Sequence, residues 1–240
     1  MTRSVGEDGE DVAGSNPLAI GRWRSSLQRH PSGLLLGVQL AGVLLYPLME
    51  ETDAGRAVFG VFGIVVLALA LWVVNRSPTI NWIAWLIAIP SVFFSLLANL
   101  GGRAELLPVA HLLEAVLYFY AAAGLMAYML EDHRVTLDEL LAAGATFTLL
   151  AWAFAFAFSV CQTWYPGSFT AAVDTDDPRS WMELLFLSFS LLSSVGLSDI
   201  VPITAPARAL AMIEMFAGVM YIAVVVSRLI ALTTLRMRRG

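Results

Sequence analysis

The stretch SLLSSVGLSDIVPIT, residues 190–204, joins a short apolar run to a long one near the end of this 240-residue chain. The short run, residues 181–193, follows Ser180 and contains Glu183, which have the S-x-x-E spacing of a capping box and predict a helix start. This run is too short to cross a bilayer, since a spanning helix needs about 20 residues. We therefore predict a re-entrant helix followed by a loop, with the negative end of the helix directed toward the middle of the membrane.

The composition of the whole chain is that of an integral membrane protein. Hydrophobic residues make up 58% of the chain and charged residues 14%, whereas a soluble domain is close to half apolar and a quarter charged. The net charge is -5 and no basic stripe is present, which argues against a nucleic-acid partner. The three histidines, His30, His111 and His133, are scattered without a nucleophile or metal motif, so we expect neither enzyme activity nor a metal site.

Six further apolar runs are predicted to span the membrane. They lie at roughly residues 33–49, 57–74, 80–100, 107–130, 140–164 and 207–235. The side of the membrane that holds both chain termini carries nine arginines, and the other side carries four. By the positive-inside rule, both termini are predicted to be cytoplasmic. Residues 1–32 are predicted to form a cytoplasmic segment with an interfacial helix at 17–29.

Residues 180–230 resemble the pore of the tetrameric potassium-channel superfamily in its six-helix form. The filter of that family reads Thr-Val-Gly-Tyr-Gly-Asp. The residues of this chain at the corresponding positions are Ser194, Val195, Gly196, Leu197, Ser198 and Asp199. Pro202, Thr204 and Arg208 follow at the spacing of simple bacterial channels, and Gly218 falls at the hinge glycine of the inner helix. The match has no gap from the short helix to Gly218.

The resemblance implies an all-α membrane protein with six transmembrane helices and a re-entrant pore helix and filter loop between helices 5 and 6. Four identical chains would surround one axis, with residues 33–134 as a four-helix unit and residues 135–240 as the pore domain. Monovalent cations, potassium above all, would pass without a cofactor while backbone carbonyls of residues 194–198 replace their water shell. The implied location is the bacterial inner membrane. The implied partners are lipid and further copies of the chain, with no small-molecule substrate.

Four side chains are predicted to support the filter loop. Glu183 lies at the positive N-terminus of the pore helix, where a carboxylate is favoured. Ser190 is placed to hydrogen-bond Asp199. Glu214 on the last helix is placed to bond Ser188 and to brace the filter from behind.

Two substitutions relative to the family pattern bear on selectivity. Leu197 replaces a tyrosine and removes a hydroxyl that bonds aromatic residues behind the filter in the family. Ser198 replaces a glycine, and a left-handed backbone at a serine costs about 1–2 kcal/mol per subunit. Either Ser198 holds the conformation through local hydrogen bonds, or the outer mouth relaxes and sodium also passes.

The last helix also contains candidate gate positions. Val219, Ile222 and Val226 follow Gly218 at helical spacing, and rings of apolar side chains can close a pore by excluding water. Ordinary helix packing is the alternative for each of them. Arg228 lies near the inner end of the helix and is expected to reach the lipid headgroups.

Charged residues elsewhere suggest how the channel would respond to its surroundings. The run at 107–130 lacks the arginines of a voltage sensor, so voltage dependence is expected to be weak or absent. His111 and Glu114 share one face of that helix, as a packing pair or as a proton sensor. The loop before the pore helix carries three acidic residues, which would concentrate cations at the mouth or simply be solvated. They are Asp174, Asp176 and Asp177.

Three other functions are compatible with the sequence. The first is a non-selective cation channel. The second is a non-conducting membrane protein that keeps the pore fold to regulate partners. The third is a secondary transporter, although the chain lacks the repeated halves that are typical of many transporters.

Overall fold

A computed structural model of the chain describes residues 31–49, 62–63, 65–70, 72, 81–100, 103–131 and 136–237. The predicted interfacial helix at 17–29 lies outside the described residues, as does much of the predicted span at 57–74. The described elements are α1 (Pro31–Met49), α2 (Asn81–Leu100), a 3-10 turn (Ala104–Leu106), α3 (Leu107–Glu131), α4 (Leu137–Trp164), β1 (Phe169–Thr170), α5 (Trp181–Leu192), β2 (Val201–Pro202) and α6 (Ala205–Met237).

Three of the described helices have the length and apolar composition needed to cross a membrane. Their spanning parts are Leu107–Leu130, Leu137–Trp164 and Ala205–Arg228. The apolar parts of α1 and α2 are shorter, at Pro31–Pro47 and Ala84–Ala98. The fold is therefore helical and suited to a membrane, and the predicted count of six spans stays a prediction.

Helix α4 is the centre of the packing. It contacts α1, α3, α5 and α6, while α2 packs on the far side of α3. A helix that is apolar on every side is expected to be buried, and α4 is buried along most of its length. Trp152 and Phe158 are among the largest fully buried side chains. The alanines between them allow neighbouring helices to approach closely, as small residues do in membrane proteins.

Polar contacts fix one end of this bundle. Helix α4 begins with a capping box in which Thr136 and Glu139 bond each other's backbone. The backbone N–H and hydroxyl of Ser32 donate to the carboxylate of Asp138, at 3.2 and 3.1 Å, so α1 and α4 begin side by side. Arg228 of α6 lies 3.5 Å from the buried carboxylate of Glu139. This ion pair was not predicted, and the expectation that Arg228 reaches the headgroups stays a prediction.

The opposite end of the bundle carries a small sheet that the sequence did not predict. Phe169 of β1 pairs with Pro202 of β2, and Thr170 pairs with Val201. Next to this pair, the N–H of Ile203 donates to the carbonyl of Ser168 at 2.9 Å. The strands have two residues each, which is too short for an alternating pattern to show. They join the loop after α4 to the loop after α5.

Candidate functional site

Helix α5 starts as the sequence predicts. The hydroxyl of Ser180 accepts from the N–H of Glu183 at 3.3 Å, and the Glu183 carboxylate accepts from the N–H of Ser180 at 2.6 Å. The capping box is thereby confirmed. The same carboxylate pairs with Arg179 at 3.2 Å. The N-terminus of α5 is therefore held by side chains on both sides of the cap.

Arg179 is a structural residue that the sequence reasoning missed. Its guanidinium is buried and donates to the carbonyls of Val173, Asp174 and Asp177. Its backbone is held by Gln162, which accepts from the Arg179 N–H at 3.0 Å and donates to the Arg179 carbonyl at 2.8 Å. The available signal was the i,i+4 spacing of Arg179 and Glu183, which favours an ion pair.

The same contacts arrange the acidic loop. Because the loop turns its carbonyls toward Arg179, the three aspartate side chains remain exposed. They are Asp174, Asp176 and Asp177. Whether they surround a pore mouth depends on the assembly, so their proposed effect on cations stays a prediction.

Helix α5 ends in a Schellman motif. The N–H of Ser194 donates to the carbonyl of Leu191 at 3.0 Å, and the N–H of Val195 donates to the carbonyl of Ser190 at 3.2 Å. The motif needs a left-handed residue directly after the cap, usually glycine, and here Ser194 takes that role with φ 61°. Gly196 is also left-handed, with φ 69°.

The structure corrects the prediction for Ser198. This serine is not left-handed, so the conformational cost predicted there falls instead on Ser194, where the helix stop requires it. The hydroxyl of Ser198 accepts a local hydrogen bond from the N–H of Ile200 at 3.1 Å. The local bond that was considered is therefore present, on a backbone of ordinary handedness.

The first two carbonyl oxygens of the filter loop, residues 194–198, point away from α5. The N–H groups of Val195 and Gly196 both donate to the carbonyl of Ser190, at 3.2 and 3.1 Å. In a trans peptide the N–H and the preceding C=O point in opposite directions. The carbonyls of Ser194 and Val195 consequently point away from the helix end. Within the described part of the chain, no hydrogen bond is accepted by a carbonyl of residues 194–198.

Two contacts behind the loop were predicted, and one of them is present. The hydroxyl of Ser188 lies within hydrogen-bond distance of the Glu214 carboxyl, as expected, and also 2.8 Å from the carbonyl of Ala151. The predicted bond between Ser190 and Asp199 is absent. The Ser190 hydroxyl is buried and has no partner among the described residues, whereas Asp199 is exposed.

Gly218 lies within a continuous α6, and packing explains why it is glycine. A Cβ at this position would lie 2.1 Å from the carbonyl oxygen of Leu192, the last residue of α5. The glycine therefore lets α6 approach the end of α5, and a hinge at Gly218 stays a prediction. Val219, Ile222 and Val226 are exposed in the single chain, and their role as a gate stays a prediction.

His111 and Glu114 bond neighbouring helices. Nδ1 of His111 lies 2.9 Å from the hydroxyl of Ser159 on α4. Glu114 bonds the side chain of Ser95 on α2. These contacts fit the packing interpretation, while a sensing role stays untested. Across the described residues no group of three or more candidate ligands could hold a metal ion.

A family model described as "Ion channel" matches residues 115–234, which is half of the chain. The chain belongs to this ion-channel family. The match begins in α3 and includes α4, α5, the filter loop and most of α6. The ion-channel family is not an enzyme family. The family match together with the long apolar helices makes this a membrane protein of ion transport. Comparisons with curated proteins and with solved structures found no match.

Proposed function

We propose that this ion channel conducts monovalent cations passively and prefers potassium. Four copies surround one axis, and the carbonyls of residues 194–198 coordinate the permeant ion. Residues 135–240 of each copy form the pore domain. The channel lies in a bacterial inner membrane with both termini in the cytoplasm, and it needs no cofactor other than the potassium that passes through it.

The observation that carries this proposal is the hydrogen-bonding pattern of the backbone in the filter loop. The N–H groups of Ser194, Val195 and Gly196 are all bonded to the end of α5. The carbonyls that follow have no partner in the described chain. Oxygens fixed in this way are the ligands that a partly dehydrated monovalent cation needs.

The surface around the loop supports assembly with further copies. Val195 and Leu197 expose 69% and 72% of their surface in the single chain, although both are apolar. Helix α6 also exposes a series of large apolar side chains away from α4 and α5. They include Met212, Ile213, Phe216, Val219 and Met220. Lipid can cover the outward side of α6, but apolar side chains beside a polar loop are better covered by neighbouring subunits.

Selectivity is the part of the proposal most open to change. Leu197 lacks the hydroxyl of the family tyrosine, and Ser198 has a single local bond. We propose reduced discrimination against sodium, and a fully non-selective cation channel is the second candidate. This second candidate is favoured by the exposed position of Leu197, because a side chain that is 72% exposed packs little against the described residues and stiffens the loop little.

The test is the reversal potential of the purified protein in planar bilayers with potassium on one side and sodium on the other. Reversal close to the potassium equilibrium potential supports the proposal. Reversal near zero supports the non-selective candidate. No current from intact tetramers would support a non-conducting regulatory protein. Ser198→Gly is the companion variant, and a shift toward potassium would identify Ser198 as the cause of any lost selectivity.

A further inference from the structure

Glu214 belongs to a buried polar cluster that joins three helices. The cluster consists of Glu214 on α6, Ser188 on α5 and the carbonyl of Ala151 on α4, and the two side chains are fully buried. The Ser188 hydroxyl lies 2.8 Å from the Ala151 carbonyl and within hydrogen-bond distance of Glu214 Oε1. All three helices pack against one another at this point.

The number of hydrogens available in this cluster determines the protonation state of Glu214. A serine hydroxyl has one hydrogen, and a carbonyl and a carboxylate are both acceptors only. If Glu214 were ionised, the Ser188 hydroxyl could donate to only one of two acceptors, the Glu214 carboxylate or the Ala151 carbonyl. The Ser188 oxygen would then lie against the other acceptor oxygen with no hydrogen between them. If Glu214 is protonated, its O–H donates to Ser188 and the Ser188 O–H donates to Ala151. Every close oxygen–oxygen contact in the cluster then contains a hydrogen.

The surroundings of Glu214 also favour a protonated carboxyl. Its second oxygen, Oε2, is buried and has no partner among the described residues. No salt bridge of the described chain includes Glu214. The structure gives other partners to the other charged or titratable side chains that it describes on α4, α5 and α6; they are Asp138, Glu139, Cys161, Glu183, Arg208, Tyr221 and Arg228. An unpaired charge at this depth would be costly, whereas a neutral carboxyl is tolerated.

We infer that Glu214 is protonated in the folded channel and that its proton positions the pore helix by donation to Ser188. Ser188 lies two residues before Ser190, whose carbonyl holds the N–H groups of Val195 and Gly196. The cluster therefore fixes α5 between α4 and α6 at the turn that orients the filter carbonyls. Glu214 is a positioning residue in this scheme, and it does not touch the ion.

Infrared spectroscopy of the purified full-length protein at neutral pH tests the protonation directly. A protonated carboxyl gives a C=O stretching band distinct from that of a carboxylate. We expect a difference spectrum between the parent and Glu214→Gln to show loss of such a band. The control Glu105→Gln, at an exposed carboxylate, should show no such loss. A difference spectrum without this band overturns the inference.

Two further variants keep the test decisive. In Ser188→Ala the carboxyl loses its acceptor, so the same band should shift; a band that stays unshifted also overturns the inference.

Glu214→Gln keeps a neutral donor, and we expect its potassium-over-sodium permeability ratio to stay within about twofold of the parent. Glu214→Met has no donor, and its ratio should fall about tenfold, as expected for one lost buried hydrogen bond. Equal ratios in the two variants overturn the positioning role.

The effect on permeability rests on the proposed channel function, but the protonation does not. A parent protein without current would contradict the proposed function and leave the infrared result to decide the state of Glu214. A parent that conducts, with no carboxyl band lost in Glu214→Gln, would contradict the inference alone.

Discussion

The two ends of helix α5 are built in opposite ways. At the N-terminus, Ser180, Glu183 and Arg179 bond one another and the loop before the helix. At the C-terminus, the N–H groups of residues 194–196 turn back onto the helix while the carbonyls that follow accept no bond in the described chain. The comparison teaches that side chains stabilise the N-terminal end of α5, whereas backbone hydrogen bonds shape the C-terminal end and leave the loop carbonyls without a partner in the described chain.

The largest effect is expected from removing Arg179. In Arg179→Met, the carbonyls of Val173, Asp174 and Asp177 lose a buried donor and Glu183 loses its ion partner. Hydrogen bonds to a charged group contribute about 1.5–3 kcal/mol each, so we expect the variant to lose about 3 kcal/mol or more. The midpoint of thermal unfolding in detergent measures the loss. Arg103→Met, at an exposed arginine, is the control and should change stability by about 0.5 kcal/mol or less. A similar midpoint for both variants would show that the N-terminal end is not the supporting one.

Gly218→Ala acts on the opposite end of α5. The new Cβ would lie 2.1 Å from the carbonyl oxygen of Leu192, so either α6 or the end of α5 must move. Overpacking of this kind costs about 1–3 kcal/mol, and it should also alter the reversal potential because the filter begins two residues after Leu192.

Gly37→Ala provides a matched control for Gly218→Ala. Gly37 lies within α1, and no atom lies within 4 Å of the position of its Cβ. Alanine there should raise stability by up to about 1 kcal/mol, since glycine is a poor helix former. If Gly218→Ala proves equally harmless, the close contact between α6 and the filter end of α5 does not exist in the assembled channel.

Features within the pore half that depend on local sequence could be predicted. The capping box at Ser180 and Glu183 follows from a fixed spacing, and α5 ends at Leu192, within a residue of its predicted end. The bond between Ser188 and Glu214 was predicted as well, from the position of Glu214 in the outer half of the last helix. Helices α1, α2 and α3 were predicted from apolar runs alone.

Features that depend on which distant groups meet could not be predicted. Arg228 pairs with Glu139, and no local pattern connects these two positions. The burial of Arg179 arises from carbonyls of an irregular loop, which have no signature in side-chain sequence. A left-handed backbone was considered at Ser198 and not at Ser194, because the family pattern marks glycine positions whereas the helix stop is fixed by hydrogen bonds.

The pair of Glu139 and Arg228 extends the comparison to the other end of the pore unit. Both side chains are largely buried, and they join the start of α4 to α6. We expect Glu139→Gln and Arg228→Met each to destabilise the protein, and the double variant to lose less than the sum. A coupling energy of about 1–2 kcal/mol is expected from the double-mutant cycle measured by unfolding in detergent. Additive losses would mean that the two charges do not interact in the assembled channel.

The smallest effect on stability is expected from replacing two serines of the filter loop with glycine. Ser194 has φ 61°, so Ser194→Gly should stabilise the protein by about 1 kcal/mol per subunit through relief of the left-handed backbone. Ser198 has no such strain and accepts a bond from Ile200, so Ser198→Gly should destabilise by about 1 kcal/mol. The two glycine variants are therefore expected to shift the unfolding midpoint in opposite directions. Shifts of the same sign would show that Ser198 also adopts a left-handed conformation in the assembled pore, which is the arrangement that the family pattern predicts.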